Sequence, residues 1–323
     1  MTAVRDALLS HIAGTRFESL PDGAVTAAKA AMASTIACGM AGSTAAEARA
    51  LRDLQLEHFG FGGAPIWGTD QIMHPIAAGL INGFHVQSAE NGPVHDAAGV
   101  QPMSVILPSV IAYADRFGQV SGKAVITAVN VGTDVACLLG LAAKQETGFF
   151  RTGVCGAMGA AAALAKLAGF DRNSATDIFG HVYSQLSGTR HTYKDAGMGL
   201  ALQVALGVRN VLTAFDMARM YIPGAQDVFD GEYGYFNVFE PAGDAAPLLG
   251  ALGTQWRSAE MSFKAADEHR AEFMARAASA AVPLAPEMAE RLYTRLLALQ
   301  DETDVSVLSN MAAGFDLEQE GLI

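Results

Sequence analysis

The chain of 323 residues has little of what would tie it to nucleic acid, metal, the cell exterior or a membrane. Lys and Arg number 21 against 33 Asp and Glu, a formal net charge of −12. No clustered basic run occurs, so a nucleic-acid partner, which draws on clustered Lys and Arg to hold phosphates, is not expected. The acidic balance reads as a surface that keeps the protein soluble. Cysteine is scarce: Cys38, Cys137 and Cys155 are far apart, each in an apolar stretch. They suit buried reduced thiols of a cytoplasmic protein, not a disulfide frame or a zinc site. The N-terminal stretch MTAVRDALLSHIAG carries an early Asp and no long apolar region before a cleavage site, so no signal peptide is expected. The longest apolar segments, around residues 124–143 and 153–170, are interrupted by Asn130, Asp134 and Lys166. They read as core helices, not membrane spans. HExxH, a phosphate loop and a dinucleotide GxGxxG are all absent. GVCGAMGAAAA is glycine-spaced, but it follows a loop and lacks an acidic partner, which leaves tight helix packing.

Aromatics are sparse as well, at 8% of a chain that is 51% hydrophobic and 17% charged. The apolar bulk is therefore Ala, Val, Leu, Ile and Met, which suits close-packed helices. Pro21 and Asp22 open a run in which Val25, Ala28, Met32, Ile36 and Met40 recur at helical spacing until Gly42. Ser43 and Thr44 offer caps for a second helix through His58, with Glu47 placed for a capping box. FGFGGAPIWG reads as a loop. Further helices are expected at about 74–90, 101–117, 121–143, 152–169, 172–187 and 198–220, and shorter ones at 267–281, 286–300 and 303–313. Between them, IPGAQDVFDGEYGYFNVFEPAGD looks like a folded loop over one end of a bundle. No strand alternation, repeat or linker breaks the pattern. The fold class is all-α, with one helical domain over 1–323.

Three polar groups stand out from this apolar background. Between two helices, Glu90, Asn91, His95, Asp96 and Gln101 are either a site for acid or base chemistry, with Glu90 and His95 titratable, or a solvated turn around Asn91-Gly92-Pro93. In GFFRTG, Arg151 at a helix start could bind a carboxylate, or sit at the surface beside an aromatic plug. SGTRHTYKDAG gathers Arg190, His191, Tyr193, Lys194 and Asp195, a cluster suited to an anionic substrate or to water. His181 on its apolar helix reads as a hydrogen-bonded core residue.

Longer segments resemble the MmgE/PrpD family, which includes 2-methylcitrate dehydratase, cis-aconitate decarboxylase and iminodisuccinate epimerase. LPDGAVTAAKAAMASTIACGMAG is similar to its opening helix, and PIWGTDQIMHPIAAGLINGFHVQSAEN to its WGT segment, alanine-rich helix and NG pair. QPMSVILPSVIAYAD, SGKAVITAVNVGTDV and TGVCGAMGAAAALAKLAGFD resemble its next three helices. DVFDGEYGYF resembles its leG-x-x-Gf loop, and WRSAEMSFK its i-x-x-isiK strand.

The resemblance implies a helical-domain homodimer acting on a small molecule without metal or organic cofactor. It also marks departures. Where the family has D-x-D-D-T-H, this chain has Glu90, Asn91, Gly92, Pro93, Val94 and His95. The histidine of the HP pair is Gln101, that of GfH-x-TG is Phe150, and an expected lysine falls at Leu200, while Lys264 is kept. After Lys264 the family inserts a lid domain. Here the sequence passes directly to what resemble the closing helices, giving a main part at 1–264, closing helices at 265–315 and a frayed tail at 316–323, with the lid absent.

The expected function is a divergent lyase or isomerase that dehydrates, isomerises or cyclises a small, relatively apolar organic acid or a metabolite derived from one. Glu90 and His95 would be catalytic. Asn91, Gln101, Phe150, Arg151, His191, Tyr193, Lys194, Leu200 and Lys264 would bind substrate. The alternative is a non-catalytic binding or scaffold homodimer.

Overall fold

The computed structural model describes residues 3–89, 91–194, 197–262 and 266–316. Helices come first in chain order as α1 (Ala3–Gly14), α2 (Asp22–Gly42) and α3 (Ala48–Phe59). The two-residue strands β1 (Ala64–Pro65) and β2 (Ile72–Met73) then form an antiparallel hairpin. The core follows in α4 (Pro75–Ser88), α5 (Met103–Phe117), α6 (Gly122–Leu141), α7 (Arg151–Leu167), α8 (Arg172–Tyr183) and α9 (Gly199–Arg219). Two single-turn helices, α10 (Tyr235–Val238) and α11 (Ala246–Leu249), lie in the aromatic loop. The chain closes with α12 (Ala266–Ala278), α13 (Pro286–Leu297) and α14 (Ser306–Ala312). The class is all-α, with that hairpin the one strand pairing beyond isolated bridges among the described residues.

Two local expectations fail for local reasons. FGFGGAPIWG is not wholly loop, because Ala64 and Pro65 pair with Met73 and Ile72. The capping box at Thr44 does not form: its hydroxyl donates back to Ala41 O at 2.9 Å, and α3 starts four residues later, at Ala48. A threonine that satisfies the preceding helix end is not free to cap the next.

Small residues set the packing. α6 runs along α7, and at their crossing a Cβ on Gly132 would fall 2.7 Å from Gly159 O, while one on Gly159 would fall 2.5 Å from Gly132 O. Only two glycines let these backbones touch. Part of the glycine-spaced run therefore serves helix packing. α4 packs on α2, α5 and α9, and the closing helices rest on α2 and α5. Asn82 of α4 pins the hairpin end by accepting from Trp67 N at 3.0 Å and donating to Pro65 O at 3.2 Å. Trp67 is fully buried. Three helices, α2, α6 and α9, are long and apolar enough to cross a membrane, but the fold buries 89% of the α6 window, so its neighbours account for its apolarity. The cysteines are all buried and free.

Buried His85 of α4 carries a pH dependence. Burial, reinforced by the Arg52 guanidinium 3.2 Å away, lowers its pKa to about 3 from the usual 6.5. Below pH 6.5 the unfolded chain takes up a proton here that the folded chain refuses until about pH 3. Stability from this group is thus complete above the first value and is lost as pH falls, at about 1.4 kcal/mol per pH unit. A fall in urea midpoint from pH 6.5 downwards, flattened by His85→Gln, is the expected result.

Candidate functional site

The three polar segments converge. The link from α4 to α5 is folded by its own backbone: His95 N donates to Val100 O at 2.9 Å, and Gly99 N to His95 O at 3.0 Å, with Gly99 at φ +63°. Ser262 N adds a bond to Val94 O at 2.9 Å, so the segment after Arg257 is an edge of this turn. GFFRTG and SGTRH run side by side, with Phe150 N donating to Gly188 O at 3.2 Å and Arg190 N to Gly148 O at 2.9 Å.

A cavity of about 470 Å³ opens where these segments meet. Val94, Val100, Phe150 and Leu200 give it apolar walls, and Gln87, Gln101, Thr152, Asp96 and Tyr193 supply its polar groups. Gln87 Nε2 donates to Gln101 Oε1 at 3.1 Å, and Gln101 N donates to Thr152 Oγ1 at 3.2 Å. The first bond orients the Gln101 amide and leaves its NH₂ for another acceptor. A smaller cavity of about 160 Å³ shares Gly99, Phe150 and Tyr193 with the first and adds Arg151, Arg190 and Glu146. Phe150 and Tyr193 meet edge to face at 5.8 Å. Partial desolvation raises the pKa of Tyr193, although the residue as a whole is exposed, and its phenol is a donor at neutral pH.

Among the described residues, each arginine that lines these cavities already has a carboxylate. Arg151 donates from Nε to Glu240 Oε1 at 2.7 Å and from Nη2 to Glu240 Oε2 at 2.9 Å, and this pairing raises its pKa. Glu240 is buried. Arg190 pairs with Glu146. His95 lies behind the wall at 2% exposure, with Nδ1 accepting from Ala98 N at 3.2 Å. Its proton therefore sits on Nε2, which donates to Glu260 Oε2 at 2.9 Å. Arg257 Nη1 reaches both Glu260 oxygens at 3.1 and 3.0 Å, and Gln255 also donates to that carboxylate. Burial pushes the Glu260 pKa up, but the bonds from His95, Arg257 and Gln255 outweigh it and hold the carboxyl below its usual range.

Of the residues singled out from sequence, Gln101, Phe150 and Leu200 line the main cavity, Arg151 the smaller one and Tyr193 both. Arg151 is not free for a substrate carboxylate, since Glu240 holds it. Neither His95 nitrogen is open to the cavity. Asn91 is exposed and donates to Ala89 O at 3.1 Å; His191 and Lys194 are exposed and line neither cavity. Glu90, Asp195 and Lys264 lie outside the described residues. The described part of WRSAEMSFK, 256–262, is not a strand: Arg257–Glu260 is a 3-10 turn, and Ser262 forms an isolated bridge to Val94. That turn puts Arg257 and Glu260 on one side, three residues apart. His181 is half-exposed and bonds Ile222 O at 2.9 Å. Sequence reasoning missed Glu240, Glu260, Arg257, Gln87 and Thr152. The available signal was Arg257 three residues before Glu260; nothing local links Glu240 to Arg151 across 89 positions.

The MmgE/PrpD N-terminal domain model matches residues 6–248. The chain belongs to the MmgE/PrpD family. Among curated relatives, a cis-aconitate decarboxylase-like protein, oryM, of Aspergillus oryzae is 29% identical over 266 residues, covering 76% of this chain and 54% of the relative. Cis-aconitate decarboxylase of Aspergillus terreus is 24% identical over 262 residues, 76% of this chain and 53% of that protein. The chain thus spans about half the length of the curated relatives it matches. This MmgE/PrpD helical domain has lyase-like relatives, and among its described residues no group of three or more His, Cys, Asp and Glu is placed to hold a metal ion.

Proposed function

We propose that the cleft is the active site of a lyase or isomerase acting on a neutral or singly charged organic acid with an apolar body. One observation carries this reading: Arg151 and Arg190 are matched by Glu240 and Glu146, and Glu260 takes both Arg257 and His95, beside walls of Val94, Val100, Phe150 and Leu200. Among the described residues a tricarboxylate would meet no unpaired positive charge in the cavity wall, and burying its charges without partners is costly. The open cavity favours a ligand site over the scaffold alternative.

The chemistry supported is proton abstraction next to a carbonyl, followed by loss of a leaving group or by reprotonation. Asp96 is the described carboxylate in the cavity wall, held by the Ser262 hydroxyl. It joins Glu90 as the base, while Tyr193 serves as acid and the Gln101 NH₂ as donor to the developing oxyanion. His95, with both nitrogens occupied, positions the turn. We further propose that the protein is a cytoplasmic, lidless homodimer. Exposed Leu54, Phe61 and Ile72 around α3 and the hairpin support the dimer, and a monomeric solution mass would refute it.

Deuterium uptake from D2O, followed by NMR over a panel of monocarboxylic hydroxy and keto acids, tests the chemistry before any product is known. Asp96→Asn or Glu90→Gln should slow exchange about 100-fold or more. Unchanged exchange in both variants, or faster exchange of cis-aconitate than of every monoacid, would overturn the proposal.

A further inference from the structure

Away from the cleft, the corner between α1 and α2 meets the start of α6 and the end of α7 around a cavity of about 270 Å³. It shares no lining residue with the two cleft cavities. Three cations line it, each from a different element: Arg16 from the corner, Lys123 from the first turn of α6 and Lys166 from the last turn of α7. None of the three forms an ion pair with a described carboxylate, and Glu18, on the same wall, stays beyond ion-pair distance. Elsewhere Arg5, Arg116, Arg172 and Arg270 each hold a carboxylate. Convergence of unpaired cations is unusual in a chain of net charge −12.

Structural roles account for only part of this. Lys166 suits the negative end of α7, but Lys123 sits where the α6 dipole opposes a positive charge. Among the described residues its compensation is the Phe17 ring 5.3 Å from Nζ, a weak contact at an exposed site. Burial, and then the charge of Arg16, push the Lys166 pKa down. The second cause is repulsion between two cations that line the same cavity.

We infer that this cavity is a second ligand site, which takes a phosphoryl group between Arg16, Lys123 and Lys166. Cations from three elements can each meet one terminal oxygen of a phosphoryl group, whereas a carboxylate offers two oxygens in one plane. Phe17 and Leu167 give an apolar wall for a small body attached to it.

Calorimetric titration of the full chain with inorganic phosphate at fixed ionic strength tests this. Saturable binding is expected with phosphate and not with chloride. Arg16→Gln combined with Lys166→Gln should weaken it about tenfold or more, the loss of charge-assisted hydrogen bonds. Arg49→Gln, which removes an exposed charge on α3, should leave it unchanged. In phosphate-free buffer the double variant should melt no lower than wild type, because like-charge repulsion is relieved, and phosphate should no longer raise its melting temperature. An absence of saturable phosphate binding would overturn the site. Equal weakening by Arg49→Gln, or tighter binding of citrate that depends on the same two cations, would overturn the phosphoryl assignment.

Discussion

Glu240→Gln should lower stability by about 3 kcal/mol and leave an unpaired guanidinium at the cleft. Glu240 is 1% exposed and takes two bonds from Arg151, whose side chain is 22% exposed. Breaking a buried pair by removing one charge costs about 3–5 kcal/mol, with the lower end fitting a partly exposed arginine. The freed guanidinium stays at the smaller cavity, so citrate should bind the variant about tenfold more tightly than wild type. Urea denaturation reads the first effect and calorimetry the second. A variant that loses stability without gaining citrate affinity would show that Glu240 is not what keeps polycarboxylates out.

Glu260→Ala should cost less, about 1–2 kcal/mol, because it strands buried Arg257 and the His95 N–H, but its own side chain is 31% exposed and water can replace part of what is lost. The turn from Val94 to Gln101 is tied to the 3-10 turn by that carboxylate and by the bond from Ser262 to Val94. Loosening it should weaken ligand binding in the main cavity by about tenfold, since a site held too loosely loses pre-organisation. The pH dependence has a definite sign. The Glu260 pKa is lowered from 4.5, so its contribution is present above that value and is lost as pH falls below it. Wild type and variant should therefore converge in acid. A constant difference down to pH 3 would mean the cost is packing, not charge.

Much of the helical frame was legible in the sequence. The helix at 22–42 coincides with α2, and the expected spans at 74–90, 101–117 and 198–220 each contain the helix observed there. Apolar spacing, Pro at helix starts and Gly at stops act within a few residues, which a linear reading can follow. Departures lie where a residue serves a neighbour instead of its own element, as Thr44 does for α2. In the cleft, Gln101, Phe150 and Leu200 stood out because they replace polar residues of a family pattern. The partners of Arg151 and His95 did not stand out, since Glu240 and Glu260 are 89 and 165 positions away.

By itself, the sequence determined an acidic, helical chain whose small residues permit close packing, and it marked three polar segments as candidates. Tertiary structure decided what those segments can do. It brought them around one cavity, placed a carboxylate against each described arginine that lines the cleft, and set His95 behind the wall. Charge balance in a site depends on distances across the fold, and those are fixed by how α4, α7 and the loops around Glu240 and Glu260 pack together, not by any local pattern of residues.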